Sequence, residues 1–447
     1  MTATATEARL SALAALDAPR LAISGRVVDV APTSWRVGGL SPFVRLGDCI
    51  ACEGPDGEEL GEVVRVENDA ATVKPFGVGV GAQVGSFARR IGPMTIAPHA
   101  AWKGRVVDAF GRPCDGKGPI EQGAQRFAPE DGEPPRALDR ARTGRPVKTN
   151  VMLIDVFTPL VLGQRIGIFA GSGVGKSTLM GMLARADGFD SVVVALVGER
   201  GREVREFVED TLGDTLGKVV AVVATGDESP MMRRLAPKTA MAIAECFRDQ
   251  GENVLLIVDS VTRLAHAARD VALAAGEPPV SRGYPPSVFS ELPMLLERAG
   301  PGREGSGTIT GIFTVLVDGD DHNDPIADSI RGTLDGHIVL DRAIAEQGRF
   351  PAMDVLKSIS RLAPHAWQGS ERELVTRLRS MIARFEDTRD LRLLGGYQRG
   401  SDQTLDIAVD LVPILYDILI QKPEDPQVRA PFDEISRRLK EGMAPKG

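Results

Sequence analysis

The alternation of apolar and polar residues between positions 21 and 92 predicts an all-β region. Short runs rich in β-branched residues are separated at regular spacing by clusters of Gly, Pro, Asn and Asp. This pattern is typical of a small β-barrel. The predicted strands are residues 23–30, 43–52, 61–67 and 71–75.

The pattern changes between residues 93 and 365, where short apolar runs alternate with helical stretches. Such alternation predicts a mostly parallel sheet flanked by helices, an α/β domain. The runs are residues 166–170, 191–197, 219–225, 254–258, 308–316 and 336–340. From residue 366 to residue 447, apolar residues recur at helical spacing in 371–385 and 404–421, which predicts a C-terminal helical domain.

Residues 1–20 contain one short helix candidate, residues 6–17, with leucines on one side. An isolated helix of this length is marginally stable in water. The segment is therefore interpreted either as a frayed terminus or as a helix that folds onto a partner protein.

Composition and charge narrow the functional classes. The 447 residues are 43% hydrophobic and 26% charged with a net charge of -8, as in soluble globular proteins of two or three domains. Up to residue 90 there are nine basic against eleven acidic residues, so the barrel region lacks the positive charge of a nucleic-acid-binding barrel. Four cysteines, no secretory signal and no apolar run of membrane-spanning length predict a cytoplasmic protein.

The strongest chemical motif directly follows the predicted strand 166–170 and opens a predicted helix, residues 178–186. Glycines in such a loop allow successive backbone N–H groups to turn toward phosphates, while a lysine places its charge between them and a hydroxyl reaches Mg²⁺. Ala170 stands where the general pattern has its first glycine, and its small side chain is compatible with the same turn. The predicted phosphate-binding residues are Gly171, Ser172, Gly173, Val174, Gly175, Lys176, Ser177 and Thr178.

Two acidic residues follow other predicted strands. Asp259 ends an apolar strand about 80 residues after the phosphate loop, where a carboxylate is suited to hold the water shell of Mg²⁺. Glu199 follows the strand 191–197 and is a candidate base that orients and deprotonates an attacking water. From spacing alone, an exposed charged loop is an equally good interpretation for Glu199.

Several motifs together resemble the ATPases related to the rotary ATP synthase β subunit, in the branch that serves flagellar and type III secretion. The resemblance covers nearly the whole chain, from about residue 23 to residue 421. The motifs are FAGSGVGKS from Phe169, GRVVDAFGRP from Gly104, SRGYPPSVF from Ser281, DGDDHNDPIAD from Asp318, DGHIVL from Asp335 and GYQRGSD from Gly396.

The resemblance implies a RecA-like P-loop core and a role for each matching residue. Glu199 would be the catalytic base with the basic Arg200 beside it, and Asp259 with Ser177 would hold Mg²⁺. Arg263 would face the phosphates. Arg361 would be an arginine finger that reaches the nucleotide on a neighbouring subunit. Phe350 would stack on adenine, although the family often has Tyr at this position.

The resemblance also implies the biological setting: ATP and Mg²⁺ as the nucleotide and metal, a homohexameric ring, and protein export in flagellum assembly. The implied partners are a stator-like regulator bound by the N-terminal helix, the export gate, a central-stalk protein and chaperone–substrate complexes, with no nucleic acid. The enzyme would be cytoplasmic and peripherally associated with the inner membrane at the export apparatus.

Four alternatives remain open from the sequence. A virulence secretion ATPase would have the same chemistry and different cargo, and a rotary synthase subunit would need a second type of ring chain. An RNA-translocating hexameric helicase has a similar core but would need a basic, aromatic barrel. A catalytically silent ring subunit is disfavoured because Lys176, Glu199 and Arg361 are all present.

Overall fold

The computed structural model describes residues 22–55, 57–142, 144–317 and 324–443. It divides into two compact units, Met1–Pro93 and Met94–Gly447. The predicted N-terminal helix lies outside the described residues, as do residues 318–323 of the acidic motif. The further domain boundary between residues 365 and 366 stays a prediction.

The first unit contains a closed barrel of six antiparallel strands, in the order β1-β2-β5-β4-β3-β6. Its interior is filled by large apolar side chains, including the fully buried Trp35 and Ile50. The barrel predicted from the sequence is confirmed. The strands are β1 (Ser24–Ala31), β2 (Ser34–Gly38), β3 (Asp48–Gly54), β4 (Gly57–Val66), β5 (Ala70–Pro75) and β6 (Phe87–Pro93).

The barrel departs from the prediction at two strand starts and at two missed strands. One of the two starts is that of β4, which begins at Gly57 rather than at residue 61. The strand expected from residue 43 begins only at Asp48, because a short 3-10 turn at Ser41–Phe43 and Gly47 with a φ of 86° interrupt extended backbone. The strands β2 and β6 were not predicted. β2 has only five residues and β6 contains two arginines and a glycine, so neither forms a continuous apolar run.

The second unit contains a mostly parallel nine-stranded sheet, which confirms the α/β prediction. Its main order is β17-β16-β10-β15-β13-β11-β12-β7, with β14 paired to β15 and a separate β8-β9 pair. Only the short β14 and β17 run antiparallel to their sheet neighbours. The strands are β7 (Arg105–Val107), β8 (Pro146–Val147), β9 (Leu160–Val161), β10 (Arg165–Ala170), β11 (Ser191–Val197), β12 (Val219–Ala224), β13 (Asn253–Asp259), β14 (Gly300–Pro301), β15 (Thr308–Leu316), β16 (Gly336–Leu340) and β17 (Ile359–Ser360).

Helices surround this sheet, and the last four form the expected C-terminal helical region. The longest helix, Pro230–Asp249, packs on the central strands of the sheet. Residues of the sheet and of the C-terminal helices form one hydrophobic core. The helices are α1 (Met152–Phe157), α2 (Lys176–Ala184), α3 (Gly201–Glu206), α4 (Pro230–Asp249), α5 (Val261–Ala274), α6 (Pro286–Glu297), α7 (Pro325–Thr333), α8 (Arg342–Glu346), α9 (Ala363–Ala366), α10 (Gly369–Asp387), α11 (Arg389–Leu393), α12 (Gln403–Leu419) and α13 (Pro431–Met443).

None of the helices within the described ranges combines the length and the apolar composition needed to cross a lipid bilayer.

Candidate active site

The phosphate loop lies between the end of β10 and the start of α2. Gly173 and Gly175 have φ values of 78° and 86°, a left-handed conformation that glycine adopts without steric cost. Gly175 is the N-cap of α2, so the helix begins at Lys176, two residues earlier than predicted. Unpaired N–H groups in the first turn of a helix bind anions, and the helix dipole favours negative charge there. Ser177 and Thr178 are exposed in this first turn, whereas Val174 is buried and anchors the loop to the core.

Parallel pairing brings the two predicted acidic residues to the same edge of the sheet as the loop. The strand β15 lies between β10 and β13, and β11 follows on the other side of β13. Asp259 is the last residue of β13, while Glu199 comes two residues after the end of β11. Because the strands run parallel, their carboxyl ends share one edge, where α/β sheets bind ligands.

Four charged side chains meet at this edge: Lys176, Glu199, Asp259 and Arg263, here called the charged quartet. Lys176 Nζ donates to Asp259 Oδ1 and lies 3.7 Å from Glu199 Oε1. Arg263 Nη1 lies 2.9 Å from Glu199 Oε2 and also donates to the carbonyl of Gly198. The two cations therefore balance the two carboxylates within one chain.

Gly198 makes the contact with Arg263 possible. Its φ is 68°, and a side-chain Cβ at this position would lie 2.9 Å from Arg263 Cδ. A larger residue at position 198 would displace the guanidinium that pairs with Glu199. Steric fit therefore explains why a glycine precedes Glu199.

The surroundings of Glu199 alter its proton affinity. Burial raises the pKa of Glu199, and the nearby charge of Asp259 raises it further, whereas Lys176 and Arg263 lower it. The net effect is a pKa above the ordinary value for glutamate. A raised pKa makes a carboxylate a better proton acceptor near neutral pH, as a general base requires.

The phosphate loop and part of the quartet line one cleft of about 550 Å³. This volume falls in the range of pockets that hold nucleotide-sized ligands. Arg200 also lines the cleft, but its side chain is 84% exposed and contacts Glu203 at 3.4 Å. The predicted site residues that line the cleft are Gly171, Ser172, Gly173, Gly175, Lys176, Ser177, Thr178, Glu199, Arg200 and Arg263.

Phe350 lies next to the phosphate loop rather than in this cleft. The residue is 41% exposed, and a Cβ on Gly175 would lie 3.3 Å from its ring. Behind the ring, Gln421 N donates to the Phe350 carbonyl at 2.8 Å, and the Gln421 side chain bonds the backbone of Met152 and Asn150. The C-terminal helical region thus fixes the backbone that presents this aromatic ring.

Arg361 differs from the other charged residues of the predicted site because its side chain makes no hydrogen bond or ion pair with any described residue, whereas theirs are paired. The residue is exposed and does not line the cleft of its own chain. Its backbone is well anchored, since Arg361 N donates to the Asp335 carbonyl at 2.9 Å. The preceding Ser360 is bonded to Gln164 Nε2 at 2.9 Å and to the Pro159 carbonyl at 3.0 Å.

At the phosphate edge, the structure adds two residues that sequence reasoning missed. Thr314 donates its hydroxyl proton to Asp259 Oδ1 at 2.6 Å, and Arg342 Nη2 lies 3.4 Å from the carbonyl of Ser172 in the phosphate loop. Neither belongs to a recognisable motif. Thr314 could be found only by knowing the register between β13 and β15, which the sequence alone does not provide.

Comparison with known proteins gives the family. Residues 150–360 match the ATP synthase alpha/beta family, nucleotide-binding domain, and residues 367–441 match the T3SS EscN ATPase C-terminal domain. The flagellum-specific ATP synthase of Agrobacterium fabrum is 57% identical over 94% of this chain and 89% of its own length. The type 3 secretion system ATPase of Xanthomonas euvesicatoria is 44% identical over 89% of each chain.

A solved structure agrees with these relatives. The assembled ATPase EscN of enteropathogenic E. coli, in complex with its central stalk EscO, matches with a TM-score of 0.83 and 39% identity over 94% of this chain and 99% of its own. The resemblance seen in the sequence motifs and the fold class are both confirmed. The chain therefore belongs to the ATP synthase alpha/beta family, within its branch of flagellum-specific and type III secretion ATPases.

Proposed function

We propose that this enzyme hydrolyses Mg-ATP at the interfaces of a homohexameric ring and thereby drives or primes protein export during flagellum assembly. The observation that carries the proposal is the division of the predicted catalytic residues. The charged quartet is assembled within one chain beside the phosphate loop, while Arg361 stands apart on an anchored segment without a partner among the described residues.

Nucleotide binding rearranges the quartet in this proposal. The β- and γ-phosphates occupy the first turn of α2 and attract Lys176 away from Asp259 and Glu199. Glu199 then orients a water molecule and accepts its proton as the water oxygen attacks the γ-phosphorus. The bond from that phosphorus to the bridging oxygen breaks, and ADP leaves with its electron pair. Arg263 keeps the Glu199 carboxylate in place.

The residues beside the loop fit a magnesium ion. Magnesium prefers oxygen ligands and is usually held by one or two protein groups together with substrate phosphates. The Ser177 hydroxyl, exposed at the start of α2, and the Asp259 carboxylate are such oxygen donors. When bound, Mg²⁺ would neutralise charge on the β- and γ-phosphate oxygens. Ser177 and Asp259 are the residues that would hold it and its water shell.

Phe350 and Arg200 complete the proposed nucleotide environment. Phe350 would stack on adenine, because its exposed ring lies beside the phosphate loop at Gly175. Arg200, which lines the cleft with a largely exposed side chain, would act at the interface with the next subunit. Arg361 would reach across that interface and offset the charge that develops on the transferred phosphoryl group.

The partners belong to the same proposal. A central-stalk protein would occupy the ring, as EscO is the central stalk of EscN. The N-terminal residues would bind a stator-like regulator that docks the enzyme at the export gate, and chaperone–substrate complexes would meet the C-terminal side. The enzyme would act in the cytoplasm, peripherally associated with the inner membrane. The higher identity to the flagellum-specific relative, 57% against 44%, supports flagellar rather than virulence cargo.

A mixing experiment tests interface catalysis directly. Glu199→Gln and Arg361→Ala are each expected to lower kcat on the order of 10³-fold while leaving nucleotide binding intact. In a one-to-one mixture, half of the subunits keep Glu199 and half of their neighbours keep Arg361. About one quarter of the sites would then be complete, and a corresponding share of wild-type turnover should return. Each variant mixed with itself is the matched control.

Other outcomes would contradict specific parts of the proposal. A mixture that stays inactive although both variants assemble would show that Arg361 does not act in a neighbouring site. Turnover per subunit that is independent of protein concentration, with an active Arg361→Ala variant, would indicate a monomeric mechanism. RNA-stimulated turnover with a steep salt dependence would revive the helicase alternative.

The cargo is tested separately in cells. The gene for the wild-type protein should restore filament assembly to a flagellated bacterium that lacks its own export ATPase. The gene for the Glu199→Gln variant should not. Restoration of virulence secretion but not of filaments in matched strains would favour the secretion alternative.

A further inference from the structure

The strands β13 and β15 place a buried threonine beside Asp259. Val258 pairs with Phe313 in the parallel register, so the next residues along the two strands, Asp259 and Thr314, are neighbours. Thr314 is completely buried and Asp259 is 2% exposed. The Thr314 hydroxyl donates to Asp259 Oδ1 at 2.6 Å, a short distance that is typical of a hydroxyl bonded to a carboxylate.

Both groups that donate a hydrogen bond to Asp259 donate to the same carboxylate oxygen. Lys176 Nζ also donates to Oδ1, while Oδ2 accepts no hydrogen bond from any residue in the described ranges. This arrangement fixes one oxygen of the carboxylate, and Oδ2 is the oxygen that would accept from the water shell of Mg²⁺.

The two donors differ in what happens to them when ATP arrives. Lys176 belongs to the phosphate loop and is attracted to the phosphates, so it leaves Oδ1. Thr314 is uncharged, lies on a central strand and is not among the described residues that line the cleft. After Lys176 moves, Thr314 is the donor that still holds Oδ1.

We propose that Thr314 is a positioning residue that keeps the Asp259 carboxylate oriented for Mg²⁺ once Lys176 has moved to the phosphates. The inference rests on the proposed role of Asp259 as a residue of the magnesium site. Partners of metal-binding groups commonly set metal affinity, and their loss costs about 10–100-fold. Thr314 therefore determines how strongly Mg²⁺ tightens nucleotide binding.

The test compares Thr314→Val with two controls in the full chain. Valine keeps the shape of threonine and removes the hydroxyl, whereas Thr314→Ser keeps the hydroxyl. Thr310→Val removes another fully buried hydroxyl of the same strand, one that accepts from Gly163 N at 3.0 Å and lies four residues earlier. Thr310→Val therefore reports the general cost of losing a buried hydroxyl from β15.

The main readout is nucleotide binding rather than turnover. The affinity for a fluorescent ADP analogue is measured in excess chelator and across a magnesium titration. Thr314→Val should bind the analogue normally in chelator and need about tenfold more free Mg²⁺ to tighten binding. Thr314→Ser and Thr310→Val should both retain the wild-type magnesium dependence, whatever their melting temperatures.

The outcomes separate this inference from the proposed function. Normal magnesium dependence in folded Thr314→Val overturns the role of Thr314. If Asp259→Asn also shows normal dependence, the magnesium role of Asp259 is wrong as well. If Asp259→Asn loses the response, only the inference on Thr314 fails. If Thr314→Val does not fold, Thr314→Cys replaces it, because a thiol is a weaker donor than a hydroxyl. Thr314→Cys should give an intermediate shift in the Mg²⁺ concentration that tightens binding. A wild-type magnesium dependence in Thr314→Cys would overturn the inference.

Discussion

The phosphate edge of the sheet and the β17 segment present their arginines in opposite ways. At the phosphate edge, Arg263 is paired with Glu199 and the backbone of Gly198, so its charge is used within the chain. At β17, Arg361 has a firmly held backbone and a side chain with no partner among the described residues. The comparison teaches that the phosphate edge pairs its charges within a single chain, whereas Arg361 leaves its guanidinium unpaired among the described residues, as the proposed role at a neighbouring subunit requires.

The largest expected effect comes from removing Lys176, the lysine of the phosphate loop. Lys176→Ala should lower kcat on the order of 10³-fold and weaken nucleotide binding, because the phosphates lose the lysine charge and Asp259 then faces them with no cation beside it. Steady-state turnover and equilibrium nucleotide binding check the prediction. Lys103→Ala, which removes the partner of Glu252 at 2.8 Å, is the control and should leave both measurements near wild type.

A smaller effect is expected from Arg263→Gln, and it has a characteristic pH dependence. Glu199 must be ionised to accept a proton, so kcat/KM falls on the acid side as pH drops through its raised pKa. Arg263 lowers that pKa, so its removal should move the acid limb of the pH profile to higher pH. Turnover near neutral pH should decrease by roughly 10²-fold.

Arg200→Gln is the matched control for this pH profile. It removes an exposed arginine of the same cleft that pairs with Glu203 rather than with Glu199. Its acid limb should coincide with that of the wild type. An unshifted limb in Arg263→Gln would mean that Arg263 does not stabilise the ionised base.

The smallest expected effect tests the anchoring of Arg361. Gln164→Leu removes the buried side chain that donates to Ser360 and accepts from Val161 N at 3.0 Å. Loosening β17 should lower turnover about tenfold, less than the roughly 10²-fold that a 1 Å displacement of a catalytic group can cost. Nucleotide binding should remain unchanged, because the phosphate edge is intact.

In the mixing assay, Gln164→Leu should behave like a weak Arg361 variant. It should fail to complement Arg361→Ala but complement Glu199→Gln. Complementation of Arg361→Ala instead would show that Gln164 stabilises the site of its own chain rather than the arginine presented to a neighbour.

The sequence predicted those parts of the site that depend on local chain geometry. The glycines and Lys176 define a phosphate loop because strand, turn and helix follow one another within a few residues. The positions of Asp259 and Glu199 followed from the shared edge of parallel strands. Thr314 and Gln164 were missed because their partners lie 55 and 196 residues away, so their contacts depend on register and packing.

Sequence reasoning was also weaker in the barrel than in the central sheet. Buried parallel strands such as β13 form continuous apolar runs that are easily recognised, whereas a barrel strand needs an apolar residue only at alternate positions. β6, with exposed and buried residues alternating along much of its length, therefore escaped prediction although it closes the barrel between β1 and β3.

The pairing of Lys176 with two acidic residues of its own chain has a consequence for product release. In the proposed mechanism, ADP must leave a lysine that attracts its phosphates, and in many enzymes such departure limits the overall rate. Here Asp259 and Glu199 are already placed to take over that lysine. In that mechanism the two carboxylates would compete with the product for Lys176, so the phosphate loop would empty without leaving an uncompensated buried charge.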